Sequence, residues 1–362
     1  MSASHDQAFN LPLVSVIIPA YNAEMFIAQT LESVLAQTYT NIEVLVVDDG
    51  SSDQTMEIVR SFAQQDTRII LLQQANSGVA AARNLAIIKS KGEYIAPIDA
   101  DDLWSLSKIA RQVECMLNAD ESCGLVYTWS VKIDKFGFII SEDRTDILEG
   151  YVYPALVYCN FIGNASVPLI KRECLDKIGL YNTQLRLQNA QGCEDWDLYC
   201  RIAEHYQYRV VPDYLMGYRS TSQSMSCDFD SMLKSYFLVV QDVMKRHPEI
   251  PPKIFKWSKA QFYMHFARQS LLAKKYNFFW QWWLKALLTD KMIIFYFKIY
   301  RILVRSIFRR QQSSMTQKDK YSDINQQEIT QKYASKFKLT PYQLINNYRW
   351  RTIQKLCGAC LK

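Results

Sequence analysis

The sequence predicts an α/β fold with a mainly parallel, open sheet and flanking helices. Apolar, β-branched runs alternate with segments of helical periodicity over the first hundred residues, a pattern typical of βαβ units. Polar or acidic residues follow three of these runs directly. In open parallel sheets, ligands bind outside the carboxyl ends of the strands. We therefore expect a binding site along that edge.

The alternation begins at residue 14 and predicts each element in turn. Strands are expected at 14–18, 42–47, 69–72 and from residue 94, with helices at 24–36, 54–63 and 79–89. Next come a helix at 105–117, a strand at 125–133, a turn at 134–137 and another strand pair. A helix at 198–205 precedes a strand, turn and strand over 208–219, in which the turn is placed at Pro212.

From residue 228 the pattern becomes helical and predicts a C-terminal extension. Helices are expected at 231–246, 253–274 and 277–288. The predicted division is a catalytic domain at 12–227, a helical, aromatic and basic extension at 228–310, and a polar linker with a short helix at 311–362.

Composition limits the class of protein. The chain has 362 residues, of which 49% are hydrophobic and 22% are charged, as in globular proteins. Residues 1–12 lack the basic start and apolar centre of a signal peptide, so we expect a cytoplasmic protein. Nine scattered cysteines predict reduced thiols. Cys357 and Cys360 form a lone C-x-x-C, and without a second pair a zinc or redox site is not expected.

Three carboxylates at the end of the fourth strand, Asp99, Asp101 and Asp102, are the most informative cluster. Two carboxylates about 5 Å apart repel by roughly 3 kcal/mol at an effective dielectric constant of about 20. A hard divalent ion, Mg²⁺ or Mn²⁺, with the remaining positions left to phosphate and water, relieves that repulsion. The alternative is that Asp101 or Asp102 caps a helix beginning near Trp104, which accounts for only one acid.

Four motifs, taken together, resemble those of family 2 glycosyltransferases of the GT-A fold. They are VSVIIPAYN at 14–22, EVLVVDDGSSD at 43–53, NSGVAAARN at 76–84 and YIAPIDADD at 94–102. Their order and spacing match jointly, and the resemblance extends over roughly residues 12–225. It implies a Rossmann-like sheet, a nucleotide-diphosphate sugar donor with a UDP-sugar as first choice, a divalent metal, and inversion at the anomeric carbon.

The resemblance also implies roles for individual donor-side residues. The base and ribose pocket is implied to be lined by Pro19, Ala20, Tyr21 and Asn22. Asp49 is implied to accept from the base edge and Arg83 to approach the donor phosphates, while Asp99, Asp101 and Asp102 hold ribose and metal, with Asp101 preferred as the ligand and Asp102 beside it. The alternatives are a loop aromatic at Tyr21, a turn-forming acid at Asp49 and an ion-paired Arg83.

A second acidic cluster, Glu194 and Asp195, lies where the resemblance implies a catalytic pair. A sugar hydroxyl is a poor nucleophile at neutral pH, so attack on an anomeric carbon needs a general base. We expect Asp195 to be that base and Glu194 to help bind a sugar. Trp196 is expected to form an apolar wall for the acceptor, and Asn164 to face the cleft or cap a turn. The alternative places the acids in a helix N-terminus and Trp196 in the core.

Residues 218–226 resemble the closing motif of the family, with one departure. Arg219 and Ser224 are expected to hold phosphate, in a segment able to order over the donor. Thr221 stands where many members have His. This difference puts a histidine ligand in doubt.

The formal net charge of +6 is concentrated in residues 291–310, which contain six basic residues and no acids. Four of these, Lys298, Arg301, Arg305 and Arg309, are spaced for one helical face. They interrupt any membrane-spanning run, so we expect a helix lying on an anionic membrane surface. The predicted location is peripheral, on the cytoplasmic face, and nucleic acid is not an expected partner. The alternative is an ordinary packed helix with a solvated basic face.

Three functional hypotheses follow. The first is an inverting glycosyltransferase acting on a carbohydrate or lipid-linked acceptor in glycoconjugate assembly. The second is a sugar nucleotidyltransferase, although 19–22 lacks the glycines of a triphosphate loop. The third is a catalytically inactive, membrane-associated nucleotide-binding scaffold, which the acids at 101, 102 and 195 argue against.

Overall fold

The protein is built around one sheet of nine strands, seen in a computed structural model that describes residues 11–220, 228–296, 299–300, 302–304, 321, 349, 351–353 and 355. The strands are β1 (Val14–Ala20), β2 (Ile42–Asp48), β3 (Ile69–Gln73), β4 (Tyr94–Pro97), β5 (Leu103–Trp104), β6 (Cys123–Ile133), β7 (Ile139–Arg144), β8 (Leu169–Lys171) and β9 (Gln207–Arg219). Their spatial order is β3-β2-β1-β4-β8-β6-β9-β5, and β7 pairs with β6.

The first four strands form the parallel part of the sheet, as predicted. β1 lies between β2 and β4, and β3 pairs with β2, all in parallel register. All seven residues of β1 are buried, which explains their apolar, β-branched composition. The carboxyl ends of β1, β2 and β4 therefore meet at one edge.

Eleven α-helices connect or cover the strands in the part of the chain that the structure describes. They are α1 (Ile27–Leu35), α2 (Thr55–Gln65), α3 (Val79–Lys89), α4 (Lys108–Leu117), α5 (Tyr153–Tyr158), α6 (Arg172–Ile178), α7 (Gln184–Leu187), α8 (Glu194–Ala203), α9 (Phe229–Arg246), α10 (Pro252–Leu272) and α11 (Tyr276–Thr289). Because α4 begins at Lys108, neither Asp101 nor Asp102 caps it. The capping alternative is therefore wrong.

The second half of the sheet is mixed. β8 is antiparallel to both β4 and β6, whereas β6 and β9 run parallel. The predicted break at Pro212 is wrong, because β9 is one continuous strand. Its register against β6 shifts between Thr128 and Trp129, so that Pro212 and Asp213 lie in an irregularity. Proline is tolerated at such irregularities, where the ladder of hydrogen bonds is already interrupted.

The C-terminal helices confirm the predicted helical extension and pack into a second core. Phe266, Phe279 and Trp282 of α10 and α11 lie in that core, whereas Val239 of α9 belongs to the main one. A 3-10 helix at Lys291–Phe295 follows α11, with the Asp290 carboxylate accepting from Met292 N at 3.1 Å. The division at 227 and 310 stays a prediction.

Several sequence-based predictions fall outside the described residues. They concern Thr221, Ser224, Lys298, Arg301, Arg305, Arg309, Arg310, Cys357, Cys360 and the proposed linker. Within the described part of the chain, no helix combines the length and apolar character needed to cross a bilayer.

Candidate active site

A cleft of about 590 Å³ opens at the carboxyl edge of the parallel strands. One wall comes from the ends of β1, β2 and β4, and the opposite wall from the start of α8 and from α10. Predicted site residues that line it are Pro19, Ala20, Tyr21, Asp49, Arg83, Asp99, Asp101, Asn164, Glu194 and Asp195. Residues far apart in the sequence, including both acidic clusters, thus share one cavity.

The end of β1 forms the floor at one side. Pro19 and Ala20 are buried at the end of the strand, and Tyr21 follows with 54% of its surface exposed. Asn22 adopts a φ of 48° and does not line the cleft; its carboxamide oxygen accepts from Ser52 N at 2.9 Å. Asn22 therefore shapes the loop that carries Tyr21.

Asp49 organises the loop before α3. Its carboxylate accepts from the backbone N–H groups of Ser77 and Gly78, each at 2.8 Å, and from Gln74 Nε2 at 2.6 Å. Gly78 has a φ of 90°, and a Cβ there would lie 2.5 Å from Arg186 Nη1. The loop therefore requires glycine, and Asp49 takes part in loop structure as well as in the cleft wall.

The three acids after β4 have different environments. Asp99 and Asp101 line the cleft and are partly buried, whereas Asp102 is fully buried and does not line it. Burial, reinforced by the nearby charge of Asp99, raises the pKa of Asp101 to about 7. Of the three acids after β4, therefore, only Asp99 and Asp101 present their carboxylates to a ligand in the cleft.

Asp102 is held within the protein by two neighbours. Its carboxylate accepts from Ser166 Oγ at 2.6 Å and from the backbone N–H of Arg219 at 2.9 Å. Ser166 Oγ also accepts from the backbone N–H of Asp99 at 2.9 Å. Burial raises the pKa of Asp102 well above its usual range. Asp102 therefore positions the acidic turn instead of facing the cleft.

The Arg219 side chain is also directed inward. Its Nε donates to Asp101 O at 2.6 Å, Nη1 to the carbonyls of Asp134 and Lys135, and Nη2 to Gln29 Oε1 at 3.0 Å. The residue is fully buried and does not line the cleft. Its N–H groups thus hold the backbone beneath the acidic turn. In this arrangement Arg219 does not reach a phosphate in the cleft, contrary to the prediction from the sequence.

Arg83 links the two acidic clusters. From α3, its Nη2 donates to Asp99 Oδ1 and its Nη1 to Asp195 Oδ1, both at 2.6 Å. Tyr181 lies beneath the guanidinium, 5.1 Å from ring centroid to Cζ. Burial opposes the charge, but the carboxylates of Asp195 and Asp99 raise the pKa of Arg83 well above its usual value. The arginine therefore remains charged and holds the two walls together.

Glu194 and Asp195 occupy the first turn of α8, as the helix-terminus alternative also predicted. Glu194 Oε2 accepts from Gly192 N at 2.7 Å, which fixes its orientation. Burial raises the pKa of Asp195 to about 6, although Arg83 lowers it. Such a carboxylate can accept a proton at neutral pH and is still partly exposed to the cleft.

The two residues predicted for the acceptor are separated. Asn164 lines the cleft while its Oδ1 accepts from Ser166 N at 3.0 Å, so it combines both predicted arrangements. Trp196 is buried: its Nε1 donates to Leu156 O at 2.7 Å, and its ring stacks on Tyr236 at 5.5 Å. Trp196 borders a neighbouring cavity instead of the main cleft.

Several residues at the cleft were not predicted from the sequence. They are Lys132 of β6, Ser166 behind the acidic turn, Tyr181 beneath Arg83, Arg186 of α7, and His265 and Gln269 of α10. Arg186 Nη1 lies 3.9 Å from Asp49 Oδ2. All of these residues lie outside the four motifs, so no local pattern identified them.

The cleft fits a hard divalent cation bound jointly with a ligand. No side chain of the described residues donates to the Asp101 carboxylate or forms an ion pair with it, and burial beside Asp99 makes its charge costly. No group of three His, Cys, Asp or Glu side chains suited to a metal occurs in the described ranges. Two carboxylates alone leave most positions of an octahedral ion open, which suits phosphate oxygens and water.

Comparison with known proteins gives consistent matches. The family model described as "Glycosyl transferase family 2" matches residues 15–166. Bacillus subtilis TuaG, a glycosyltransferase whose name places it in teichuronic acid biosynthesis, is 30% identical over 244 residues; the match covers 65% of this chain and 90% of TuaG. An uncharacterized glycosyltransferase of Rickettsia bellii is 33% identical over 190 residues, which cover 52% of this chain but only 26% of that longer protein.

A solved structure supports the same architecture. It is the mannosyltransferase PcManGT from Pyrobaculum calidifontis in complex with GDP-Man and Mn²⁺. The superposition has a TM-score of 0.51 at 21% sequence identity and covers 84% of this chain and 89% of PcManGT. At this identity the likeness concerns the fold.

Proposed function

The chain belongs to glycosyl transferase family 2 and is a glycosyltransferase with the GT-A fold, and from this premise we propose an inverting, metal-assisted transfer. The donor is a nucleotide-diphosphate sugar, with a UDP-sugar as first choice. The acceptor is a carbohydrate or a lipid-linked glycan of the kind used in surface polysaccharide or glycoconjugate assembly.

The Arg83 bridge carries this proposal. It joins Asp99, on the acidic turn after β4, to Asp195, at the start of α8, with two contacts of 2.6 Å. A displacement at an anomeric carbon needs a cation-binding group behind the leaving group and a base in front of the acceptor hydroxyl. The bridge holds a candidate for each within one cleft.

The donor-side residues support binding of a nucleotide. Tyr21 offers an exposed aromatic ring beside Pro19 and Ala20, which suits stacking on a base. The backbone N–H groups at 77 and 78 are already taken by Asp49. We therefore assign to Asp49 the role of shaping the base pocket. Asp49 and Tyr21 both line the cleft, and the base contacts Asp49 there.

Asp99 and Asp101 are the proposed metal ligands, with Asp102 holding the turn from behind. When bound, Mg²⁺ or Mn²⁺ neutralises the diphosphate charge and acts as a Lewis acid toward the leaving group. The Ser166 hydroxyl fixes the position of Asp99 through its backbone N–H and of Asp102 through its carboxylate. These contacts keep the cleft-facing carboxylates in place before any ligand arrives.

The reaction is a single displacement. The acceptor hydroxyl oxygen attacks the anomeric carbon, the bond from that carbon to the diphosphate oxygen breaks, and the proton passes to Asp195. The nucleoside diphosphate leaves with the bonding electrons. Glu194, held by Gly192 N, orients a sugar hydroxyl beside the base. One inverting step requires no nucleophilic carboxylate, so Asp195 as the base is sufficient.

We also propose that the protein associates with an anionic membrane surface on the cytoplasmic side. Trp280, Leu284 and Leu288 of α11 are four residues apart, so they share one helical face. They are 49%, 50% and 76% exposed. Lys285 and Lys291 lie exposed near this face and add positive charge. Apolar anchors flanked by cations are typical of interfacial helices.

The deciding experiment is a donor screen. The protein is incubated with Mn²⁺ and a panel of nucleotide sugars, and release of the nucleoside diphosphate is measured. At least one donor is expected to be turned over, and Asp195→Asn is expected to reduce transfer by about 10²- to 10⁴-fold, the usual contribution of a general base. No turnover with any donor, or an unchanged Asp195→Asn variant, contradicts the proposal.

Asp230→Asn is a matched control, since Asp230 is exposed in the first turn of α9. It is expected to leave turnover within twofold of the wild type. The inactive-scaffold alternative predicts nucleotide binding without turnover in the same screen. Family membership disfavours the nucleotidyltransferase alternative.

A further inference from the structure

A second cavity adjoins the candidate active site on the side of the C-terminal helices. Its volume is about 250 Å³, and it shares four lining residues with the first cleft: Gly163, Gly192, Met232 and His265. Its walls come from α5, α8, α9 and α10. A ligand whose reacting end lies near Asp195 therefore has room to extend into it.

The lining of this second cavity is aromatic and carries no carboxylate among the described residues. Trp196, Tyr236 and Phe262 form a continuous wall, with ring centroids 5.5 Å and 4.4 Å apart. Two basic side chains, Arg268 and His265, line this cavity, and both belong to α10. The cavity thus combines an apolar wall with positive charge.

Arg268 has no ion-pair or hydrogen-bond partner among the described residues, and its Nε is buried. A guanidinium is always charged at physiological pH. Burying such a donor without a partner is unfavourable, so a complementary anion is the expected occupant. Arg268 is partly buried. Two fully buried arginines near the cleft differ in the partners of their charge: Arg83 pairs with two carboxylates through its Nη atoms, although its Nε also has no partner, and Arg219 donates to three backbone carbonyls.

We propose that the second cavity is an acceptor subsite that binds an anionic group, with Arg268 as the anion-binding residue. This inference rests on the proposed glycosyl transfer. The attacking hydroxyl of the acceptor lies near Asp195, and a carboxylate or phosphate on the acceptor lies against Arg268. The aromatic wall lies between them and contacts the sugar ring or apolar carrier. Arg268 and most of the other lining residues lie outside the segment 15–166 that the family model matches, although α5 and the loop after it contribute part of the wall.

Binding of small probes without donor tests the proposal. Methyl glucuronide represents an acidic sugar, glucose 1-phosphate a phosphorylated carrier, and methyl glucoside the neutral reference. Dissociation constants are measured by ligand-observed NMR. The wild type is expected to bind at least one anion about tenfold or more tightly than the neutral sugar, since a charge-assisted hydrogen bond is lost with the latter. The tighter anion identifies a carboxylate or a phosphate source.

Variants assign that preference to Arg268. Arg268→Gln is expected to remove the preference, and Arg268→Lys to retain part of it, because the point charge stays while the fork is lost. Lys256→Gln, which removes an exposed charge on the same helix, is the matched control and is expected to keep the full preference. If Arg268→Gln has a lowered melting temperature, Arg268→Lys carries the comparison.

Two results overturn the proposal: no anion preference in the wild type, or a full preference that survives in the folded Arg268 variants. Donor turnover is measured separately on the wild type. A wild type that binds anions but turns over no donor contradicts the proposed transferase chemistry and leaves the anion site standing. The reverse result contradicts the anion site alone.

Discussion

At Asp195, burial and an ion pair act on one carboxylate in opposite directions. Burial raises the pKa of Asp195 to about 6, while the Arg83 charge lowers it and the charges of Asp99 and Glu194 raise it. The phenols of Tyr181 and Tyr199 also lie close by, but they stay neutral because burial raises the pKa of each. Asp195 therefore titrates closer to neutrality than an ordinary Asp carboxyl.

The first prediction concerns the pH dependence that follows. A general base works only when it is deprotonated, so at saturating Mn²⁺, which keeps the Asp101 carboxylate ionised, kcat/KM is expected to fall tenfold per pH unit below about 6 and to level off above it. The measurement is kcat/KM for transfer from pH 5 to 8 with the donor found in the screen. A flat profile across pH 6 would show that Asp195 does not act as the base.

The second prediction concerns Arg83, whose charge favours the ionised form of Asp195. Arg83→Gln is expected to raise the pKa of Asp195 and move the acidic limb of the profile to higher pH, together with a loss of kcat. Arg186→Gln removes a cleft arginine that lies 3.9 Å from Asp49, and is expected to change KM without moving the limb. An acidic limb that stays in place in Arg83→Gln contradicts the role of the bridge.

At the scale of elements, the acidic turn after β4 is held by contacts distant in sequence. Ser166 Oγ accepts from Asp99 N and donates to Asp102, and Thr30 Oγ1 donates to the carbonyls of Ala100 and Asp102 at 2.9 Å. These contacts place Asp99 and Asp101 on the cleft side and Asp102 on the buried side.

The third prediction is that Ser166→Ala destabilises this turn. It leaves the Asp99 N–H without its acceptor and Asp102 short of a donor, at a cost of about 1–3 kcal/mol in the free energy of unfolding. Urea denaturation measures that change, and the apparent Mn²⁺ affinity is expected to fall with it. Ser61→Ala, at an exposed position of α2, is the control and is expected to change stability by less than about 0.5 kcal/mol. Equal stabilities for both variants contradict the role of Ser166.

The sequence could predict the parallel strands and the acids at their ends, because burial imposes long β-branched runs and the acids follow them directly. It could not separate Asp101 from Asp102, since their orientation depends on Ser166, 64 residues away from Asp102. Nor could it predict that β9 continues through Pro212, because the strand accommodates this proline at a register shift against β6, which the sequence does not show. The sequence also predicts a phosphate contact for Arg219, because its backbone carbonyl partners come from distant segments that only the fold brings together.

At the scale of the whole molecule, the helical part has two distinct faces. Towards the sheet, α10 contributes His265 and Gln269 to the first cleft and Arg268 to the second cavity. On the exposed side, α11 presents Trp280, Leu284 and Leu288. A membrane-bound acceptor and a cleft completed by the same helices would bring the substrate close to the carboxylates that we propose to be catalytic.

The fourth prediction tests this exposed face. The double variant Trp280→Glu and Leu288→Glu is expected to lower partitioning to vesicles containing anionic lipid by at least tenfold, since each residue loses apolar burial of more than about 1 kcal/mol and gains charge repulsion. Vesicle flotation measures it, and neutral vesicles show how much depends on lipid charge. Ile88→Glu, which changes an exposed apolar residue on α3, is the control and is expected to float like the wild type. Equal flotation of the double variant and the wild type, or no flotation of the wild type, would contradict membrane binding by the exposed face of α11.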